Sequence, residues 1–461
     1  MQLDFLDFSA LEVRRRACED ELRLNRRLAP TIYLDVVPIH GSAAAPRLGG
    51  EGDPIEYVLR MKQFAAGALF SERLAAGSLD SQSIDRLSAR LAAFHDAAPV
   101  AADVTPYGNS QWIRAVAAKV LADLDAQSRE IRLIGLRHWC EEQGARLDSC
   151  FEARKRQGWI REGHGDLHLA NVVVLDDTAT AFDCMEFDPG LRWIDVQCDI
   201  AFLTMDLTAR GRRDLAFRFL DGWLEGTGDI AGLAVLRYYE VYRALIRALV
   251  AGIRRGQGLD AVGPDYIGVA LGLAVPGAAR LLITHGLSGS GKSELSKRLL
   301  EVAGAVRLRS DVERKRLFGL HALDDSSALV RDGIYAPSTT QRTYARLREL
   351  AATALDAGYP VIVDATFLRA QEREAFRSLA RAKEVPFAIL DCRADPAVLH
   401  ERVRARSRRA DDASEADLAV LERQLVDCEP LRADERCDCI DVDTTLPLDV
   451  DAIAQRWLRL R

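Results

Sequence analysis

The chain has 461 residues, too many for one ordinary hydrophobic core, so two domains are expected and three are possible. A hydrophobic share of 48% and a charged share of 28% are those of a globular protein, and no apolar run reaches the ~18 residues of a membrane span. The net charge of −7 excludes an overall basic field that would recruit nucleic acid.

The opening segment, MQLDFLDFSALEVRRR, mixes acids with apolar residues and has no basic stretch ahead of an apolar one. It does not read as an export signal, and the cytoplasm is the expected compartment. Residues 11–28 space apolar side chains among charges as an amphipathic helix does. Residues 32–39 and 55–61 predict strands around a Gly- and Pro-rich loop over 41–54. From 81 to 151 the pattern is mostly helical; two short strands, 172–175 and 180–182, then flank an Asp-Asp turn. Helical patterns resume over 196–274. Past Val275, Pro276 and Gly277, apolar runs at 281–284, 360–363 and 386–390 alternate with helical stretches at 338–357, 370–384 and 395–409. Alternation of that kind predicts a parallel sheet covered on both faces and divides the chain into 1–276 and 277–461. The nine cysteines include no CxxC pair, and Cys437 with Cys439 lacks further ligands at zinc spacing, so reduced thiols are expected.

Gly286, Leu287, Ser288, Gly289, Ser290, Gly291, Lys292 and Ser293 satisfy GxxxxGK[ST] between an apolar run and a helical one. Glycines let successive backbone N–H groups turn inward around phosphates, and the helix N-terminus adds a favourable field. Lys292 can reach the β- and γ-phosphates of ATP, and the Ser293 hydroxyl can ligate Mg²⁺. Only seven of the 62 basic residues are lysine, which gives Lys292 added weight. Asp364 ends the run Val361, Ile362, Val363, where it can join the Mg²⁺ shell or cap a helix. Asp311 can accept the proton of an acceptor hydroxyl, while Ser310 and Glu313 have capping-box spacing; the two roles are compatible. Arg402, Arg406 and Arg409 share a helical face, as a lid over phosphates or a solvated surface.

In the first half, His164, Asp166 and Asn171 fit H-x-D-x-x-x-x-N, and Asp183 follows beyond the short hairpin. That spacing lets Asp166 face an acceptor hydroxyl while Asn171 and Asp183 converge on Mg²⁺. Asp195 and Asp199 read as structural, Asp199 as a helix cap or a brace for the catalytic loop. His95 reads as a helix-surface histidine, and the tyrosines of YYEVYR as packing.

GLSGSGKS, RSDVERKRLFG, VIVDATFLRAQERE and LHERVRARSRR resemble the P-loop kinase group that includes gluconate kinase, polynucleotide 5′-kinase and zeta-toxin kinases, over about 280–440. The resemblance implies Asp311 as the hydroxyl-activating acid, Asp364 near Mg²⁺, and Arg402 and Arg406 as lid arginines. HGDLHLAN with Asp183 resembles the aminoglycoside phosphotransferase and choline kinase group, which shares the protein-kinase fold. Together with LDFLDFSALEVRRR, YVLRMKQF and FDCMEFDPGLRWIDVQCDIAFL, these motifs resemble bacterial proteins that fuse such a domain to a P-loop kinase. The implied fold is an α+β kinase-like domain followed by a three-layer α/β/α P-loop domain. In the resembled group a lysine-bearing strand precedes the FLDFS segment, so the sequence from Met1 implies either a misassigned start or a shortened N-lobe. Glu21 would be the helix glutamate that pairs with that lysine, or a solvated charge, and Lys62 reads as part of the strand entering the hinge. Asp183, Cys184 and Met185 stand where protein kinases carry D-F-G.

The expected activity is transfer of the ATP γ-phosphate to a hydroxyl of a small molecule, with Mg²⁺. A nucleotide-binding regulatory module and a nucleic-acid 5′-hydroxyl kinase are the alternatives; net acidity opposes the latter.

Overall fold

The computed structural model describes residues 2–3, 6–128, 130–259, 263–324, 334, 336–409, 413–414 and 416–460. Two compact units emerge, and their division is not a single cut. The first comprises Met1–Arg212 and Val235–Ala274; the second comprises Arg213–Ala234 and Val275–Arg461. A division at 276/277 therefore misplaces residues 213–234, which pack with the second unit although they lie within the first in sequence.

In the first unit, β1 (Gln2–Leu3) pairs antiparallel with β2 (Leu6–Asp7), and the helix Leu11–Arg26 follows. A three-stranded antiparallel sheet comes next, in the order β4 (Ala45–Leu48), β3 (Tyr33–Ser42), β5 (Glu56–Met61). Strand β4 lies in the segment expected to be loop. It is a fully exposed edge strand containing Pro46, a position where no alternating pattern is imposed and proline is tolerated. The long helices Ser81–Ala97, Ser110–Ser128 and Leu133–Arg156 lead to β6 (Ile160–Glu162). The hairpin β7 (Val172–Leu175) and β8 (Thr178–Ala181) turns at Asp176 and Asp177, both at positive φ (45° and 61°), as a tight two-residue hairpin requires. Strand β9 (Trp193–Asp195) pairs with β6 and runs into the buried helix Val196–Ala209. There Asp195 caps by accepting from Gln197 N (3.0 Å) and clamps buried Arg154 at 2.6 and 2.7 Å.

The second unit is built on five parallel strands in the order β11 (Val306–Arg309), β12 (Pro360–Asp364), β10 (Arg280–His285), β13 (Phe387–Arg393), β14 (Cys439–Asp443). Every residue of β10 is buried, as a central strand covered on both faces must be. Leu282, Ile362 and Leu390 pack with the helices Lys292–Ala303 and Val450–Leu458 through Leu295, Leu299 and Trp457. The helices Pro337–Asp356 and Ala370–Ala382 pack on the same strands and complete the cover. The helix Arg213–Thr227 packs on the helix Lys292–Ala303, with Phe217 against the same core. Among the described residues no helix is long and apolar enough to cross a membrane.

Candidate functional sites

In the second unit the chain leaves β10 through a glycine-rich turn. Gly286, Gly289 and Gly291 lie at φ 140°, 83° and 82°, where L side chains are strained. A Cβ on Gly286 would stand 2.4 Å from the Cys392 carbonyl oxygen, and one on Gly289 2.9 Å from that of Leu399. The end of β10 is tied to β13 by His285 Nδ1 and Asp391 Oδ1 at 2.7 Å. The turn then delivers Lys292 and Ser293 to the first turn of the helix Lys292–Ala303. Lys292 is 8% exposed; its Nζ donates to the Leu287 carbonyl (2.7 Å) and lies 3.3 Å from Ser290 Oγ. Burial pushes its ammonium below the usual lysine range, against the pull of Asp364.

These groups line a cavity of about 250 Å³. Ser288, Gly289, Gly291, Lys292 and Ser293 form one wall; Asp311, Asp364, Arg402 and Arg406 complete it. Gly286 and Ser290 are not on that wall: Gly286 lies against the Cys392 carbonyl, and buried Ser290 holds Lys292. Asp364, at the end of β12, accepts from Ser296 Oγ at 3.2 Å. Arg402 donates to the Thr444 carbonyl (2.8 Å) and its Oγ1 (2.9 Å), and Thr444 Oγ1 donates to the Ser290 carbonyl (2.9 Å). Arg406 donates to the Ala416 carbonyl at 2.9 Å. Arg402 and Arg406 are half-buried and Arg404 is exposed, so the helix Pro396–Arg409 turns the first two inward; the Arg409 side chain lies outside the described residues.

Among the lining groups that escape the sequence are Arg309, Arg314 and Gln424. Gln424 Oε1 accepts from Ser288 N at 2.8 Å across 136 residues of chain. No local signal announces that contact; RSDVER does contain both arginines. The capping box at Ser310 and Glu313 does not form. The N-cap is Arg309, which makes no side-chain cap, and buried Glu313 pairs instead with Arg316 and Arg346. Cys439 is buried in β14 beside Asp391 and Asp441, whose carboxylates pair with the Arg393 guanidinium, whereas Cys437 is exposed.

A family model described as an AAA domain matches residues 281–431. This segment is a P-loop domain. An uncharacterized protein of Mycobacterium tuberculosis is 28% identical over 431 residues, covering 92% of this chain and 85% of its own length. Among solved structures, a sugar kinase of Janibacter sp. is 22% identical over 40% of this chain and 95% of its own (TM-score 0.31). A gluconokinase of Sinorhizobium meliloti is 21% identical over 40% and 93% (TM-score 0.29). The P-loop domain's cradle suits a triphosphate tail, because its glycines admit no Cβ and a buried lysine stands at its rim. Ser293 and Asp364 are the oxygen donors that could hold Mg²⁺ there.

The first unit holds the second cluster. Asn171 Nδ2 donates to Asp166 Oδ2 (2.9 Å) and to its carbonyl (3.0 Å). His168 Nε2 lies 3.4 Å from Asp166 Oδ2. Burial works to raise the Asp166 carboxyl, yet the bond and charge of His168 bring it below its usual range. Asp183, at φ 65°, donates its N–H to the Tyr33 hydroxyl at 3.1 Å. Its carboxyl is raised, first by burial and then by the charge of Asp166. Asp199 is a brace, not the helix cap, which Asp195 supplies: it accepts from His164 N (2.7 Å), Gly165 N (2.8 Å) and His95 Nε2 (3.3 Å). His95 is thus a buried partner, 2% exposed, and not a surface histidine. Burial alone would raise Asp199, but His95, His164 and Arg243 hold it down to about 2. Glu21 is partly buried, and burial followed by the charges of Glu186 and Asp183 raises it to about 7. Lys62 is exposed just after β5.

Proposed function

We propose that the P-loop unit transfers the γ-phosphate of ATP to a hydroxyl of a small molecule. The observation that carries this is the convergence of Lys292, Ser293, Asp311, Asp364, Arg402 and Arg406 on one cavity. Phosphoryl transfer asks a protein chiefly for placement and for positive charge over the phosphates. Backbone N–H groups of the turn from Ser288 to Ser293 bind the phosphates, Ser288 N–H exchanging its Gln424 partner and Lys292 its carbonyl and hydroxyl partners for phosphate oxygens. Asp311 takes the proton of the acceptor hydroxyl as its oxygen bonds to the γ-phosphorus and the bond to the β-γ bridging oxygen breaks, leaving ADP. Arg402 and Arg406 offset the charge on the transferred group. Mg²⁺, held by Ser293 and Asp364, would neutralise charge on the β- and γ-phosphates.

The first unit is proposed to be kinase-like, with Asp166 facing an acceptor hydroxyl and Asn171 and Asp183 as Mg²⁺ donors. The braced loop favours this over a purely regulatory module: Asp199 fixes His164 and Gly165, and Asn171 fixes Asp166. Both proposals are tested with γ-labelled ATP, Mg²⁺ and an extract of small metabolites, comparing wild type, Lys292→Ala and Asp166→Ala. Labelled product is expected from wild type and a fall of at least about 100-fold with Lys292→Ala. Loss with Asp166→Ala as well assigns chemistry to both units; full activity there leaves the first unit regulatory. ATP binding without transfer to any acceptor overturns the kinase proposal.

A further inference from the structure

Strand β11 carries Arg307 and Arg309, two residues apart and therefore on one side of the strand. The helix Arg213–Thr227 meets them with Asp221 and Glu225, four residues apart on one helical face. Arg307 Nη2 donates to Asp221 Oδ2 at 2.7 Å and Nε to Oδ1 at 3.3 Å. Glu225 Oε1 accepts from both arginines, from Arg307 Nη2 at 3.1 Å and Arg309 Nη1 at 3.4 Å. From there the contacts run into the phosphate site. Arg307 Nη1 donates to the Ser293 carbonyl at 3.3 Å, and Arg309 Nε stands 3.9 Å from Asp364 Oδ2. The same end of the helix is held further by Arg316 Nη2 on the Glu225 carbonyl at 2.7 Å.

We propose that Asp221 and Glu225 are positioning residues of the P-loop site: Asp221 seats Arg307 on the Ser293 carbonyl, and Glu225 keeps Arg309 from closing on Asp364. The inference rests on the proposed nucleotide site and adds to it two residues on a helix about 60 or more positions ahead of the P-loop in sequence. Arg309 reaches Glu225 with Nη1 and faces Asp364 with Nε. At 3.9 Å its pair with Asp364 is longer than a hydrogen bond, which spans ~2.7–3.2 Å. With Glu225 neutral, Asp364 becomes the stronger anion facing Arg309. A closed pair would cancel the charge and occupy the oxygen that a divalent cation needs. Glu225 is 22% exposed, so neutralising it spares the fold, whereas Asp221 and Arg307 are a buried pair whose disruption would unsettle it.

The test is a calorimetric titration of the full chain with ATP, once with Mg²⁺ and once in chelator. Wild type, Glu225→Gln, Arg309→Gln and the double variant are compared, with thermal midpoints recorded beside them. Glu225→Gln is expected to weaken Mg²⁺-dependent ATP binding by about fivefold and to leave metal-free binding within about twofold. In the Arg309→Gln background the Glu225 substitution should add nothing, because its effect passes through that arginine. Unchanged affinity, an equal loss with and without Mg²⁺, or the full loss persisting without Arg309 overturns the inference. Wild type that binds Mg²⁺ and ATP but transfers to no acceptor sinks only the kinase proposal. Wild type that binds neither sinks both.

Discussion

Glu21 shows how a single environment turns a surface-type residue into a titrating group. Its carboxyl sits partly buried with Glu186 and Asp183 nearby and is raised from 4.5 to about 7. The folded chain thus holds that proton more tightly than the unfolded chain, so the associated stability is complete below about pH 4.5 and lost as pH rises through about 7. Glu21→Gln keeps the neutral shape. It should stabilise the first unit at pH 8 by on the order of 1 kcal/mol, after allowing for solvent screening, and change little at pH 5. Urea unfolding at both pH values checks this; equal effects at the two would place the charge elsewhere. The spacing of HGDLHLAN announces Asp166 and Asn171, because the motif is local. A surface reading of His95 fails for the opposite reason: its partner Asp199 lies 104 residues away, and a polar residue on a charged helix looks solvated until that partner is known.

At the scale of elements, the glycine-rich turn is legible because its requirement is written in consecutive residues: no Cβ, then a lysine, then a hydroxyl. Gly289 illustrates the constraint. At φ 83°, with the Leu399 carbonyl oxygen 2.9 Å from where a methyl group would stand, Gly289→Ala strains the backbone and pushes the turn off the helix Pro396–Arg409. Nucleotide affinity should fall more than about tenfold with helix content unchanged. Fluorescent-nucleotide binding beside far-UV dichroism measures both, and retained affinity would show that the turn adapts. Strands β11 and β14 are not among the elements the pattern predicts. Val306–Arg309 alternates apolar and charged residues, yet its arginines face acids of a distant helix instead of water. Cys439–Asp443 carries two acids and closes the sheet edge beside β13.

For the whole molecule, the chain's path matters more than its order of motifs. Residues 213–234 leave the first unit's sequence and build part of the second, where Asp221 and Arg307 form a buried pair at 2.7 Å. Residues 277–461 expressed alone should therefore be less stable than the same unit in the full chain by about 3 kcal/mol or more, since Arg307 loses its buried partner. Chemical unfolding of the fragment against the full chain decides it; equal stability would make the helix dispensable.

Short contiguous stretches of sequence already specify the local geometry on which the proposed chemistry rests. These are the glycine turn with Lys292 and Ser293, the carboxylate ending an apolar strand, and the Asp166 and Asn171 loop with Asp183 beyond its hairpin. Backbone sterics and strand burial act over neighbouring residues, so they leave a local record. Which distant side chains join these groups follows from tertiary packing alone: Gln424 on Ser288, Asp199 on the His164 loop, and Asp221 and Glu225 on the β11 arginines. Hydrogen bonds and ion pairs of that kind depend on separation in space, which residue spacing along a chain does not encode.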